Sequence, residues 1–315
     1  MSEDSQDRFV GKDARHTLET SPIGTSSRRS SRSNGWGPRC RVLARPYAAT
    51  MQGMPLLDEL MANAWRPRVV ETHRGWRYRW ADGVTRRANS VLAAGADGDT
   101  RGLVDLAEAF YRERHAPSLI QVSTASAPND LVACLQARRY RPSARTLVEE
   151  AATRDVVDRT RATIEIEIAE APSDEWFDAY WLVEAARGRR ETDAAVCRDV
   201  LLAPGLPTVF ATARRDSDVI GVGQVVTERG WAGVQCMATG PGHRRQGVAS
   251  SVLNGLAKDA LDRGAARMYL AVMTENDAAA GLYQSAGFKA VHEYRYFANN
   301  SSDCPGTAPD RRLYG

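Results

Sequence analysis

The chain has little with which to cross or leave through a membrane. No apolar run in its 315 residues approaches the roughly 18 needed to span a bilayer, and the N-terminus lacks the apolar core of a secretion signal. A cytoplasmic protein is the expectation. Cysteine is sparse as well: Cys40, Cys134, Cys197, Cys236 and Cys304 are scattered, odd in number and never in a CxxC pair. That spacing argues against both a zinc site and a disulfide framework, so the five read as reduced thiols. The five histidines show no metal-ligand spacing, and no metal is expected. Neither a Gly-x-Ser-x-Gly elbow nor a Ser-His-Asp order is present, which removes the common hydrolase arrangements. A basic stripe is missing too. Of 42 Lys/Arg and 39 Asp/Glu, nine and five fall in residues 1–50, leaving 33 against 34 for the rest. A neutral body gives little reason to expect nucleic acid as a partner.

What is present is ordinary globular sequence, 43% hydrophobic and 26% charged, long enough for two domains. Residues 1–50 are rich in Ser, Arg and Gly and read as a disordered extension. Periodic sequence begins near Met51 and Met54, so the native start is expected there. Residues 51–150 read as one unit: a helix over 56–65, a strand over 76–80, a hairpin turn at Asp82-Gly83 and a second strand over 87–92. A helix (103–114), a strand (119–123), a helix (130–138) and a strand (143–149) follow. Residues 151–162, charged and poor in large apolar groups, read as a linker. The second unit, 163–300, opens with a strand (163–169), helices (173–186 and 192–202) and three strands (208–213, 219–227 and 231–239). It closes with a long helix (246–263), a strand (268–273), a helix (277–285) and a strand (289–297). Residues 301–315 read as a flexible tail. Leu135-Gln-Ala-Arg-Arg-Tyr140 echoes Tyr283-Gln-Ser-Ala-Gly-Phe288, each after a strand and an Asn-Asp pair, which suggests a duplicated unit.

The strongest local signal is Pro241-Gly-His-Arg-Arg-Gln-Gly-Val-Ala249, between a strand and a helix. A turn there presents backbone N–H groups at a helix N-terminus, where the macrodipole also favours an anion. Gly247 allows close approach of a phosphate, small Ala249 keeps the first turn uncrowded, and Arg244 and Arg245 add positive charge. Taken alone, this is equally a basic loop that opens a helix.

Arg244-x-x-Gly247-x-Ala249 resembles the first signature of the GNAT superfamily of N-acetyltransferases. Asn276-x-x-Ala279-x-x-Leu282-Tyr283-x-x-x-Gly287-Phe288 resembles its second signature, and the two fall at the expected separation. The likeness covers residues 163–298. Gly75-Trp-Arg-Tyr-Arg-Trp80 with Thr85-Arg-Arg-Ala-Asn-Ser-Val91 is similar to actinobacterial tandem members in which a degenerate first half precedes an intact one. In this first half no phosphate turn is present and Leu135 stands where the second half has a tyrosine. The resemblance implies a mixed α/β tandem GNAT-like fold, with a central, mostly antiparallel sheet flanked by helices.

It also implies direct transfer of an acetyl or short acyl group from acetyl-CoA to a small-molecule or peptide amine in a ternary complex. The strand 231–239 would splay from its neighbour to admit pantetheine. Met237 and Thr239 would hold the pantetheine amides, and a backbone N–H near Met237 would stabilise the oxyanion. Arg244, Arg245, Gln246, Gly247, Val248, Ala249, Ser250 and Asn276 would bind the rest of the donor. Tyr283 would protonate the departing thiolate, since a phenol of pKa ~10 keeps its proton at neutral pH. Related proteins often place a carboxylate where this sequence has Ala238, which leaves the base open among Glu184, Glu191, Glu228 and a water chain. Each of these carboxylates also reads as a solvated surface group. His243 is expected to meet solvent or nucleotide, and His292 and Glu293 to be surface groups. Trp176, Tyr180 and Trp181 share one helix and read as core or as an acceptor-pocket wall. The alternative function is a catalytically weak CoA-binding regulator with the same fold; a third reading gives the basic tail a salt-dependent hold on nucleic acid.

Overall fold

The computed structural model describes residues 56–95 and 98–299. The extension over 1–50, the tail over 301–315, Cys40 and Cys304 lie outside the described residues. In chain order the elements begin with α1 (Leu56–Ala64), β1 (Val69–His73), β2 (Trp76–Trp80), β3 (Val91–Leu92), α2 (Thr100–Arg112), β4 (Leu119–Ser123) and α3 (Leu131–Ala137). They continue with β5 (Arg141–Ala152), α4 (Thr153–Arg159), β6 (Ile166–Ala169), α5 (Asp174–Ala186), α6 (Ala194–Leu202), β7 (Thr208–Arg215) and β8 (Asp218–Glu228). The last are β9 (Trp231–Thr239), α7 (Val248–Asp262), β10 (Arg267–Met273), α8 (Asp277–Ser285) and β11 (Lys289–Ala298).

The strands join one sheet in the order β1-β2-β3-β4-β11-β5-β10-β9-β8-β7-β6. Pairing is antiparallel except for β3 with β4 and β9 with β10. The order reads alike outward from the β11–β5 pair, with β4 and β3 on one side and β10 and β9 on the other. Local geometry repeats the symmetry. Tyr140 N–H donates to Leu135 C=O and Phe288 N–H to Tyr283 C=O, both at 3.0 Å, closing α3 and α8 in the same way. Arg139 (φ 64°) takes the left-handed position that Gly287 (φ 98°) takes in α8. The strands after these two helices are interleaved: β11 lies between β4 and β5, and β5 lies between β11 and β10.

Alternation in the strands sends side chains to two covered faces. One face packs α2, α3, α4, α7 and α8; the other packs α1, α5 and α6. Helix α7 supplies the stripe Val248, Val252, Leu253, Leu256, Ala257 and Ala260, all buried, each large member contributing about 1.5–3 kcal/mol. It docks closely because β8 has glycine opposite it. A Cβ at Gly223 would fall 2.6 Å from Met237 Sδ and 2.7 Å from Val252 Cγ1.

Two expectations change. The hairpin joins β1 to β2 across Arg74-Gly75, not at Asp82-Gly83. After Asp82 the chain forms a long connection ending in a 3-10 turn (Arg87–Asn89), because Asn89 Oδ1 accepts the N–H groups of Ala81 (2.8 Å) and Gly83 (2.9 Å). The segment read as a linker carries α4, with Val156 fully buried and Asn254 Nδ2 bound to the Val157 and Thr160 carbonyls at 3.2 and 3.1 Å. In β2, Arg77 and Arg79 are as buried as Trp76 and Tyr78. Arg79 donates to Ser90 O (2.8 Å), Ser90 Oγ (2.7 Å) and Gln121 Oε1 (2.7 Å), and burial weakens its hold on the proton.

Candidate active site

The parallel ladder between β9 and β10 is short. It pairs Trp231 with Arg267, Ala232 with Met268 and Gly233 with Tyr269, and then stops. Both strands run on, β9 to Thr239 and β10 to Met273, so they part from Val234 and Leu270 onward. Beyond the parting β9 bulges. Between the Ala238–Val222 and Gln235–Gln224 pairs, Cys236 and Met237 together face Gly223, with Cys236 at φ 52°. The bulge puts Gln235, Cys236 and Ala238 toward the α1/α5 face and Met237 toward α7. Thr239, half-buried, ends the strand opposite Gly221.

The chain then turns through a 3-10 segment (Pro241–His243) into α7. Arg245 (φ 62°) and Gly247 (φ 81°) are both left-handed, and Gly247 is the helix N-cap without a side chain to offer. A Cβ there would meet Thr163 Oγ1 at 3.0 Å. The first N–H groups of α7 have no intrahelical acceptor and lie at the positive end of its dipole. Val248 turns its side chain into the core, while Ala249 and Ser250 are half-buried. Arg244 and Arg245 are exposed, and among the described residues neither has an ion-pair partner. Gln246 braces the turn, donating to Gly242 O (2.9 Å) and accepting from Arg215 (2.9 Å).

Helix α8 presents Tyr283 to the same apolar cluster that holds Val234, Met237 and Leu270. Its ring meets Phe288 edge-on at 5.8 Å. Burial pushes the phenol's pKa up; the charge of Glu149 adds to this and that of Arg187 opposes it. Asn276 caps α8, its Oδ1 accepting the Ala279 N–H at 3.3 Å. Glu149 comes from β5, level with Leu270 of β10 and Ala290 of β11. It is 8% exposed, its Oε2 has no partner among the described residues, and burial raises its pKa.

The remaining carboxylates are already engaged. Glu184 pairs with Arg187 (2.7 Å) and Arg189 (3.4 Å), and its charge is felt by Cys236 at the bulge. Glu191 accepts from Trp181 Nε1 at 3.1 Å. Glu228 accepts from Asn63 at 3.1 and 3.0 Å at the end of β8 remote from the splay. Trp176, Tyr180 and Trp181 pack as core under α5. Burial pushes the Cys197 thiol up to about 11, an inert group at neutral pH. No group of three or more His, Cys, Asp or Glu able to hold a metal occurs among the described residues. Nor does a helix long and apolar enough to cross a membrane.

A family model described as "Probable histone acetyltransferase Rv0428c C-terminal" matches residues 56–297. The chain belongs to this family. Among curated proteins, the uncharacterized N-acetyltransferase YobR of Bacillus subtilis (strain 168) is 29% identical over 250 residues, covering 78% of this chain and 98% of that one. Among solved structures, a GCN5-related N-acetyltransferase from Kribbella flavida aligns with TM-score 0.55 at 16% identity, over 76% of this chain and 93% of its own. A tandem GNAT protein from the clavulanic acid biosynthesis pathway aligns with TM-score 0.50 at 13% identity, over 63% and 69%. At those identities the likeness is one of fold, and the fold is that of the GNAT N-acetyltransferases.

In this acetyltransferase the structure brings Met237, Thr239, the 244–250 turn and Tyr283 to one end of the β9–β10 pair. It does not bring Glu228 there. Sequence reading missed Glu149, whose only signal was a Glu-Glu pair inside a strand ending in small residues. It also misread His292. The ring is nearly enclosed, 10% exposed, with Nε2 2.8 Å from the buried Asp58, a partner 234 positions away. Glu293 is a surface group as read, bound to Arg145. His243 is half-buried with Nδ1 sealed and without a partner.

Proposed function

We propose that the protein moves an acetyl, or another short acyl, group from acyl-CoA to a primary amine by direct transfer with both substrates bound. One observation carries this reading: the β9–β10 splay, the bulge at Cys236–Met237 and the bare N-terminus of α7 meet at one place, with Tyr283 on the same face. The residues suit the donor. Backbone groups of Met237 and Thr239 in the splay offer strand-like hydrogen bonds to the pantetheine amides. N–H groups at Gly247–Ser250 receive the pyrophosphate, Arg244 and Arg245 add charge around it, and the free amide of Asn276 lies one strand away. CoA supplies the activated thioester.

The chain's own groups then divide the work. A backbone N–H at the bulge stabilises negative charge on the thioester oxygen, a fixed dipole that needs no reorganisation. The amine, its ammonium proton first taken by a base, attacks the carbonyl carbon. A C–N bond forms, the C–S bond breaks, and the nitrogen gives up its remaining extra proton to water as the amide forms. Tyr283 gives its proton to the departing sulfur, and its raised pKa keeps that proton in place beforehand. Glu149 favours the protonated phenol through its field. Of the three carboxylates weighed as base, Glu184 is favoured because its charge acts on Cys236 at the bulge, and its two arginines hold it in place.

The division of the chain into 51–150 and 163–300 belongs to the same proposal. The symmetric strand order and the matched ends of α3 and α8 support it, with the first half acting as scaffold and acceptor wall. Interleaving of β5 and β11 makes each half complete the other's sheet. Release of CoA thiol, followed over a panel of primary amines with acetyl-CoA, tests the reading. Amine-dependent release supports it; saturable acetyl-CoA binding with no release for any amine would contradict it and favour a regulator.

A further inference from the structure

The 3-10 turn Arg87–Asn89, from the N-terminal region, faces the β9 bulge on the side away from α7. Arg87 NH1 donates to Gln235 Oε1 at 3.3 Å, and its guanidinium lies 4.6 Å from the Trp65 ring centroid. Those are its direct contacts. Burial weakens its hold on the proton, but the fields of the Tyr294, Tyr296, Cys236 and Tyr180 side chains outweigh that and its pKa is raised. Among the described residues no carboxylate pairs with it, whereas Arg138, Arg145, Arg214, Arg229 and Arg263 each face one. Arg79, also without a carboxylate, has three bonds to Ser90 and Gln121 instead. Arg87 has one, from a group with five donors. Arg87 is half-buried, and none of its nitrogens is both sealed and without a partner.

A guanidinium held against an indole ring without a counter-ion is costly, and the fork it presents matches a carboxylate in two parallel hydrogen bonds. Its place adds direction. Gln235, which it touches, precedes Met237 by two residues, about 7 Å of strand. The bulge turns Gln235 and Cys236 to the Arg87 side while Met237 faces the α7 side, so Arg87 stands across the strand from the donor's binding loop.

We propose that Arg87 binds the carboxylate of the acceptor, and that the acceptor is an amine of the amino-acid class. The inference rests on the transferase reading above and adds to it a substrate class. Arg87 is here a binding residue, and it would act through KM more than kcat.

The test uses the full chain with acetyl-CoA, comparing the common L-amino acids with their carboxamides by CoA thiol release. At least one acid should be acetylated with kcat/KM about tenfold or more above its carboxamide. Arg87→Gln should lower kcat/KM for that acid about 30-fold or more, mainly through KM, and bring acid and carboxamide level. Arg87→Lys should retain part of the preference. Both variants should keep the acetyl-CoA dissociation constant of the unmodified protein, which also reports that they are folded. Equal use of acid and carboxamide by the unmodified protein would overturn the inference without any variant. So would acetylation confined to amines lacking a carboxylate, or acetyl-CoA binding with no acid consumed. Failure of acetyl-CoA to bind at all would instead bring down the transferase reading itself.

Discussion

The crossovers β3–α2–β4 and β9–α7–β10 each join a parallel strand pair through one helix, and the two helices begin differently. At α2 the N-cap is Asp99, whose carboxylate accepts the Gly102 N–H at 3.0 Å and lies 3.6 Å from Arg74. The positive end of that helix already holds a negative group from its own chain. At α7 the N-cap is Gly247, which has no side chain, and the neighbouring Arg244 and Arg245 are exposed, with no ion-pair partner among the described residues. One helix end is closed as a structural cap; the other is open to an outside anion. Further along, Leu135 is fully buried in α3 at the place where α8 carries Tyr283. On the two-half reading proposed above, repetition of a fold does not repeat a site. The group at the helix end, and the side chain that the second helix carries, decide where chemistry can occur.

The largest effect should come from closing the open end. Gly247→Glu sets a side chain on a left-handed residue and a carboxylate where the pyrophosphate should sit, and acetyl-CoA affinity should fall at least about 100-fold. Affinity within a few-fold of the unmodified protein would place the donor elsewhere. Tyr283→Phe keeps the ring and removes the proton; kcat should fall about 100-fold with little change in acetyl-CoA affinity. An unchanged kcat would remove Tyr283 from the chemistry. Opening the closed end should cost stability only. Asp99→Ala should destabilise by about 1 kcal/mol, a fall of about 2 °C in Tm, with acetyl-CoA binding unaltered. A second binding site in that variant would show that α2 is a masked site.

The smallest effect concerns Glu149. Its pKa is raised in the folded protein, so the fold favours the protonated form and is penalised once the carboxyl ionises. Glu149→Gln should match the parent in Tm at pH 4 and gain as pH rises through the ordinary carboxylate range, by about 2 °C or less at pH 8. An equal Tm difference at both pH values would mean that ionisation of Glu149 is not the cause.

Much of this was legible in the sequence, for reasons of locality. β4, β9 and α8 have the bounds expected of them, because turn residues or an Asn-Asp pair bracket each apolar run. The turn into α7 was legible because its glycine, basic pair and helix start are contiguous. The β9–β10 splay was expected only through family likeness, since no local pattern encodes two strands parting. The interleaving of β5 and β11 was invisible, because either strand would satisfy the same alternation beside its own neighbours. Burial of Arg77 and Arg79 depends on α1 covering the face that alternation alone would leave to water. Glu149 and the Asp58–His292 pair are long-range contacts between residues that look unremarkable in isolation. The short β1 and the turn built by Asn89 were missed because one asparagine can reorganise a connection that dipeptide rules assign to a hairpin.

On the reading proposed here, one end of this sheet, and not its counterpart, holds the acyl donor. Calorimetric titration of acetyl-CoA into the full chain, alongside Gly247→Glu, tests it most directly. One saturable site per chain, lost in the variant, is expected. Two sites per chain, one site that survives Gly247→Glu, or no binding by the unmodified protein would contradict it.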